Sequence, residues 1–287
     1  VDLGSAPPSN AYLTDQTLEE PETWYPLKVL VCDRCWLVQT VDFVGQNELF
    51  SEDYAYFTSV STSMLAHARE YVEQVIPRFN LTETSTVVEI AANDGYLLQY
   101  FKKSGIPCFG VEPTHSTAQA AREKSIEIVE EFFSAKQAKR LLEEGRSADL
   151  MIANNVLAHV PNINEFVEGF AILLNPNGVV TFEFPHLLNL IKGNQFDTIY
   201  HEHFSYLSLT CIQKIFSKNG LAVFDVEEIP THGGSLRVFA QRSDRGRHPL
   251  NDTVKTLQMK EREFGITTID RYRGFQEAAG KIKTDFL

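Results

Sequence analysis

The chain of 287 residues contains no apolar run approaching the length of a membrane span, and no signal-peptide pattern opens it. No membrane partner is expected, and the cytoplasm is the expected compartment. Basic residues are scarce: 26 Lys and Arg stand against 38 Asp and Glu, a formal net charge of −12. That balance argues against nucleic acid, whose phosphates require clustered cations. Cysteine is sparse too. Cys32, Cys35, Cys108 and Cys211 form one CxxC and two scattered thiols, which excludes a disulfide framework. There is no GxGxxG turn, no Walker loop and no HExxH, so phosphate cradles and the usual helical zinc-hydrolase site are absent.

What is present centres on Thr86–Tyr100, TVVEIAANDGYLLQY. A β-branched run ends in an acid, Glu89. A small-residue turn follows, Ala91-Ala92-Asn93-Asp94-Gly95, and then apolar residues at helical spacing. This is strand, turn, helix, the first unit of a βαβ fold. Small residues let backbone approach a ligand, and the helix start offers unpaired N–H groups. The turn is close to the E-x-G-x-x-x-G turn of class I S-adenosylmethionine methyltransferases, with Ala91 where Gly is usual. On that likeness Glu89, Ala91, Asn93, Asp94 and Gly95 are candidate cofactor contacts. An ordinary strand–turn–helix is the competing reading.

Along the chain, residues 1–45 are Pro-rich up to Pro26. Strands are then expected over 27–31 and 36–41, flanking Cys32-Asp33-Arg34-Cys35. A CxxC knuckle between strands is typical of structural zinc, with Cys32 and Cys35 supplying half a tetrahedron. Two buried thiols without metal remain the alternative. Leu49–Thr62 carries an aromatic cluster (Phe50, Tyr54, Tyr56, Phe57), suited to packing or to covering a substrate. An amphipathic helix is expected over 64–79. From Thr86 the spacing predicts strands at 86–90, 108–111, 126–129, 150–153 and 178–184, with helices at 95–104, 117–124, 135–144 and 164–174 between them. The fold class is therefore α/β, a doubly wound parallel sheet.

Glu112, closing the second of these strands seventeen residues beyond Gly95, is placed to accept hydrogen bonds from ribose hydroxyls. Asn154 and Asn155 end the fourth strand, near the switch point where open sheets bind ligands. Capping the next turn is their other possible role. After the fifth strand comes the densest polar stretch: Glu183, Pro185, His186, then Phe196-Asp-Thr-Ile-Tyr200-His201-Glu202-His203. Two His at i, i+2 share no helical face, so catalysis is the better reading than metal. Further on, Thr231-His232-Gly233-Gly234 sits between two strands of an expected hairpin.

Together, Cys32-x-x-Cys35 with Leu37-Val-Gln39, the turn Glu89–Gly95, Phe196-Asp-x-Ile-Tyr-x-Glu-His203 and His232-Gly-Gly resemble the bacterial nucleotide-sugar C-methyltransferases. The resemblance covers roughly residues 20–245. It implies S-adenosylmethionine as cofactor, a structural zinc held by two CxxC pairs of which only Cys32 and Cys35 match, and a Rossmann-like C-terminal domain. The implied substrate is a nucleotide-linked 4-keto deoxysugar, methylated at the carbon alpha to the ketone. His203 would take the alpha proton, Glu202 would orient it or share the role, and Tyr200 would donate to the enolate. By the same resemblance Tyr56, His159 and His232 approach the sugar. Asn154, from its place at the switch point, is a candidate contact of the adenosine or the substrate and is counted with the cofactor.

The expected domains are 1–50 (zinc-binding-like), 51–245 (methyltransferase with its aromatic arm) and 246–287 (the start of a C-terminal domain). Val1 is not Met, and Leu287 falls within a segment of helical spacing, so a piece of a longer protein is expected, as a monomer or weak homo-oligomer. The rival readings are a class I O- or N-methyltransferase, which needs no C–H base, and a non-catalytic scaffold, which would leave the His/Glu/Tyr cluster idle.

Overall fold

A computed structural model describes residues 1–10, 12–41, 45 and 56–286. The expectations for Phe50 and Tyr54, and for a domain boundary near residue 50, lie outside the described residues.

The chain opens with β1 (Asp2–Ala6), β2 (Tyr25–Val31) and β3 (Val38–Thr40), an antiparallel run with the CxxC at the β2–β3 bend. A 3-10 turn at Thr58–Val60 leads into α1 (Thr62–Arg78), whose start is capped by Ser61 Oγ accepting the Met64 N–H. Then follow β4 (Val87–Ile90), α2 (Leu98–Lys103), β5 (Cys108–Val111), α3 (His115–Glu123), β6 (Glu127–Val129) and α4 (Ala135–Glu143). Next come β7 (Ala148–Asn154), α5 (Ile163–Leu173), β8 (Leu174–Pro185), α6 (Leu187–Lys192), β9 (Ser205–Tyr206) and α7 (Leu209–Lys218). The hairpin β10 (Leu221–Ile229) and β11 (Ser235–Arg242) precedes α8 (Asp252–Phe264), α9 (Ile269–Arg273) and α10 (Phe275–Phe286).

The large sheet has seven strands in the order β10-β11-β8-β7-β4-β5-β6. All neighbours from β8 to β6 are parallel, and β11 alone runs against them. The expected doubly wound sheet is thus present, with the hairpin adding a reversed strand. Every residue of β4 is buried, the mark of a strand covered by helices on both faces. On one face lie Ala68, Tyr71, Val72 and Val75 of α1. On the other, Phe170 of α5 tilts against Phe182 of β8, which in turn meets Phe216 of α7.

The first central helix begins later than its spacing predicts, at Leu98 and not at Gly95. Gly95 has φ 73°, a turn conformation, and a Cβ there would lie 2.4 Å from Ile126 Cδ1. Only glycine satisfies both demands.

The small sheet has the order β1-β2-β3-β9, and its last strand comes from the polar stretch after β8. Val38 pairs with Tyr206 and Gln39 with Ser205, which ties residues 200–206 to the N-terminal segment. The segment after residue 246 is helical and packs on that same sheet: Ile266, Tyr272 and Phe275 share a cluster with Leu27, Val29 and Val38. The Trp36 ring stacks on Tyr272, with centroids 6.4 Å apart.

Candidate active site

The C-terminal ends of β4, β5, β6 and β7 open on a cavity of about 330 Å³. That is the lower end of the size range for small-molecule sites. Of the candidate residues, Tyr56, Ala91, Asn93, Glu112, Asn154, His159 and His232 line it. Glu89, Asp94 and Gly95, of the same turn, and Tyr200, Glu202 and His203, beyond His159, are not part of the wall.

The turn is built on left-handed backbone: Ala91 has φ 57° and Asn93 φ 50°. Glycine's usual place at the former is explained by that conformation, which costs other residues about 1–2 kcal/mol. Glu112 accepts the Asn93 N–H at 2.9 Å and the Thr114 N–H at 3.0 Å. Burial raises the Glu112 pKa, against those two donors. Each of its oxygens keeps a further lone pair for a ligand hydroxyl. Glu89 is buried beside Asp94 and Glu112, and burial, then those two charges, pushes its pKa well up. Among the described residues, Glu89 Oε2, Asp94 Oδ1, Asn154 Oδ1 and Asn155 Oδ1 are buried without a partner. Buried polar atoms of this kind ordinarily have partners. Glu112, Asn154 and Asn155 are acceptors that border the cavity, with two further acids behind them, and such a wall suits a ligand that is cationic and rich in donors, as S-adenosylmethionine is. Phe132, Phe133 and Ser134, after β6, form a further wall that the sequence reading missed. Their signal was position alone, at the end of a parallel strand where such sheets bind ligands.

The catalytic candidates cluster at the His159 side. The His203 and His159 rings lie 4.7 Å apart, edge to face. His203 Nδ1 is 2.9 Å from the Thr198 carbonyl, which can only accept, so Nδ1 carries the proton. Nε2 is then the basic nitrogen, and the Tyr200 hydroxyl donates to it at 2.8 Å. Burial lowers the His203 pKa to about 4 and the His159 pKa to about 3, so both rings are neutral near pH 7. Burial, followed by the nearby Glu202 charge, raises the Tyr200 pKa. Glu202 does not orient His203. Its Oε1 accepts from Asn10 Nδ2 at 2.6 Å and Ser9 Oγ at 3.1 Å. The expected pairing of Glu202 with the His203 ring is replaced by Thr198 and Tyr200: a turn at 200–203, closed by the His203 N–H donating to the Tyr200 carbonyl at 3.0 Å, brings the Tyr200 and His203 side chains together while Glu202 meets Ser9 and Asn10.

His232 projects from the β10–β11 loop with φ 51°, and Gly233 and Gly234 beside it have φ 76° and 107°. The backbone is closely approached there: a Cβ on Gly234 would sit 2.4 Å from Asn189 Nδ2. Behind the loop, Glu183 accepts from Arg237 Nε at 2.6 Å and pairs with His67 Nε2 at 2.8 Å. Burial would raise Glu183, but His67 and Arg237 together hold it below its usual range. His186, by contrast, is remote in role: its Nε2 pairs with the buried Glu261 at 2.8 Å.

At the knuckle, the Cys32 N–H donates to the Leu37 carbonyl and the Trp36 N–H to the Cys32 carbonyl, both at 2.9 Å. Hydrogen bonds from the Cys35 and Arg34 backbones, then from the Cys35 side chain, lower the Cys32 pKa. Backbone donors aimed at one sulfur, with the second thiol alongside, fit half of a thiolate zinc site. Among the described residues no group of three or more His, Cys, Asp or Glu is arranged to hold a metal.

A family model described as "Putative zinc binding domain" matches residues 1–50, one described as "Methyltransferase domain" matches 64–226, and one described as "C-methyltransferase C-terminal domain" matches 230–287. C-methyltransferase NovU of Streptomyces niveus is 35% identical over 283 residues, covering 99% of this chain and 67% of that protein. Among solved structures, the PH0226 protein of Pyrococcus horikoshii OT3 superposes with TM-score 0.52 at 16% identity, over 68% of this chain and 100% of that one. Magnesium protoporphyrin IX methyltransferase of Synechocystis PCC 6803 with bound SAH gives 0.50 at 18% identity, over 62% and 83%. At such identities the structures bear on the fold alone.

Proposed function

Because this chain belongs to the C-methyltransferase family and is an S-adenosylmethionine-dependent methyltransferase, we propose that it methylates the carbon alpha to the ketone of a nucleotide-linked 4-keto deoxysugar. The observation that carries this reading is the Tyr200–His203 pair. A transfer to oxygen or nitrogen needs no base for a C–H bond, whereas carbon must first become nucleophilic. His203, with Nδ1–H fixed on Thr198, presents Nε2 to the Tyr200 hydroxyl. The alpha proton passes to the Tyr200 oxygen as the Tyr200 proton passes to His203 Nε2, and the C–H electron pair becomes the enolate. A positioned base of this kind contributes about 10²–10⁴-fold. Tyr56, His159 and His232, at the cavity wall, donate to the enolate oxygen or hold the sugar. Glu202 shapes the same segment from behind.

S-adenosylmethionine, when bound, supplies a methyl group already activated on a sulfonium. Glu112 would hold its ribose, Asn154 and the Ala91–Gly95 turn its methionine end, and the Phe132–Phe133 wall its base. The residues therefore act mainly by alignment. Cys32 and Cys35 would hold zinc with two further ligands, a structural role. The domain division is taken as 1–50, 51–245 and 246–287. Among the described residues no helix is long and apolar enough to cross a membrane. The reading places the enzyme in the cytoplasm, acting as a monomer or weak homo-oligomer.

The test is proton exchange. In deuterated water, with S-adenosylhomocysteine in place of the methyl donor, wild-type protein washes deuterium into the carbon alpha to the ketone. His203→Asn slows this by about 10²-fold or more, and Tyr200→Phe also slows it. Equal rates in wild type and both variants would move the base to His159, His232 or Tyr56. No exchange at all, together with methyl transfer to a hydroxyl, would sink the C-methylation reading.

A further inference from the structure

Asn93 stands in the cofactor turn, yet both ends of its side-chain amide are tied to the arm. Its Oδ1 accepts the Thr58 N–H at 2.9 Å, and its Nδ2 donates to the Tyr56 carbonyl at 2.9 Å. One amide thus brackets Phe57 from both sides, as a neighbouring strand would. The Asn93 backbone N–H meanwhile donates to Glu112 Oε2 at 2.9 Å. The neighbouring residue repeats the pattern: Asp94 Oδ2 accepts the Ser59 N–H at 3.2 Å. Lys124 Nζ closes the group, donating to Ser59 Oγ at 2.7 Å and to the Asp94 carbonyl at 2.6 Å. Asn93 is nine-tenths buried, and Tyr56, Thr58, Asn93 and Glu112 all border the cavity.

From this geometry we infer that Asn93 is a positioning residue that joins the ribose-binding acid to the aromatic arm, setting Tyr56 at the substrate side of the cavity. A purely cofactor-binding role would not require both ends of its amide to be tied to the arm, as they are. A purely structural role would not require the one residue to touch Glu112 and the arm together. The left-handed backbone at Asn93 makes the arrangement possible, since Asn tolerates φ near 50° where most residues do not. Amide bonds to Tyr56 and Thr58, one on each side of Phe57, tie down a loop at the cavity mouth. The arm carries Tyr56 half exposed at the rim, so its placement depends on this bracket more than on burial.

The role of Tyr56 toward the sugar rests on the proposed function, so the test has one readout that does not. Asn93→Asp keeps the left-handed preference, the backbone N–H and one acceptor, but turns an oxygen toward the Tyr56 carbonyl in place of a donor. Asn93→Gly also tolerates the backbone and removes both contacts. Hydrogen exchange at the amides of residues 57–60 rises about tenfold or more in each variant while that of β4 stays unchanged. S-adenosylmethionine affinity by calorimetry changes less than about threefold, because Glu112 keeps its Asn93 N–H. KM for the keto sugar rises, or kcat falls, about tenfold or more. Unchanged exchange at residues 57–60 overturns the inference. So does a loss of cofactor affinity about equal to the loss in kcat/KM, which would make Asn93 a cofactor ligand. Raised exchange in a protein that methylates no sugar would keep the bracket and remove the substrate reading instead.

Discussion

Ala91 carries a cost that glycine would not. At φ 57° its Cβ strains the backbone by about 1–2 kcal/mol, whereas glycine adds roughly 0.4–1 kcal/mol of unfolded-state entropy. Ala91→Gly should therefore stabilise the fold by up to about 1.5 kcal/mol in urea unfolding, and a clear loss of stability would mean that the methyl group packs usefully against the cavity. Glu112 is the other single residue whose role can be weighed. Glu112→Ala should weaken S-adenosylmethionine binding by roughly 1.5–3 kcal/mol, the usual worth of hydrogen bonds to a charged group. Unchanged affinity in calorimetry would place the ribose elsewhere. Both residues were legible in the sequence, because an acid at the end of a strand and a small residue in a turn are local signals. The tautomer of His203 was not. It is fixed by the Thr198 carbonyl, a backbone atom whose direction depends on how the 196–204 segment folds. For the same reason Glu202 could be picked out as a candidate but not assigned its partners, which come from Ser9 and Asn10, almost two hundred residues away in the chain.

At the scale of elements, the alternation of β-branched runs with 3.6-spaced segments was enough to lay out β4 to β8, since β4, β5 and β7 are buried along nearly their whole length while the helices between bury one face. Boundaries moved where loop chemistry intervened, as at Gly95. Less visible was the way one element is held by another. The start of α7 has its own cap, with Ser208 Oγ accepting the Cys211 N–H at 3.3 Å. It is completed by Glu261 from α8, whose carboxylate accepts the Leu209 N–H at 2.6 Å, the Thr210 N–H at 2.8 Å and the Thr210 hydroxyl at 2.6 Å. His186 adds a fourth donor. Glu261 is fully buried, so its removal leaves donors unpaired in the interior as well as losing the favourable charge at a helix start. Glu261→Ala should destabilise the protein by about 3 kcal/mol or more. A loss under about 1 kcal/mol would mean that water enters and replaces the carboxylate. Nothing local marks this residue: in the sequence it is one acid among several in an ordinary amphipathic stretch, and only the docking of α8 on α7 turns it inward.

The whole molecule is acidic, with a formal charge of −12, yet its site is built from neutral imidazoles and from acids whose pKa values burial raises. These two sets oppose one another as pH changes. Glu89, Glu112 and Glu202 bind protons more readily folded than unfolded, so their contribution is present at low pH and fades as pH rises past their unfolded values. His203 does the reverse. Its folded pKa of about 4 lies below the ordinary 6.5, so the unfolded chain takes its proton first as the solution is acidified. The stability associated with neutral His203 is fully present above pH 6.5 and is lost as pH falls toward 4. A bare pH profile would mix the two sets, but a difference between proteins cancels the carboxylates. Asn at position 203 has no proton to gain. Between pH 7.5 and 4.5, wild type should therefore lose roughly 2 kcal/mol of unfolding free energy relative to His203→Asn. Urea unfolding of both proteins at the two values, without ligand, reads this directly. A gap that stays constant would mean that His203 titrates normally in the folded protein, and hence that the site is open to water. In that case the ring could take the alpha proton without Tyr200, and Tyr200→Phe should leave deuterium wash-in nearly unchanged.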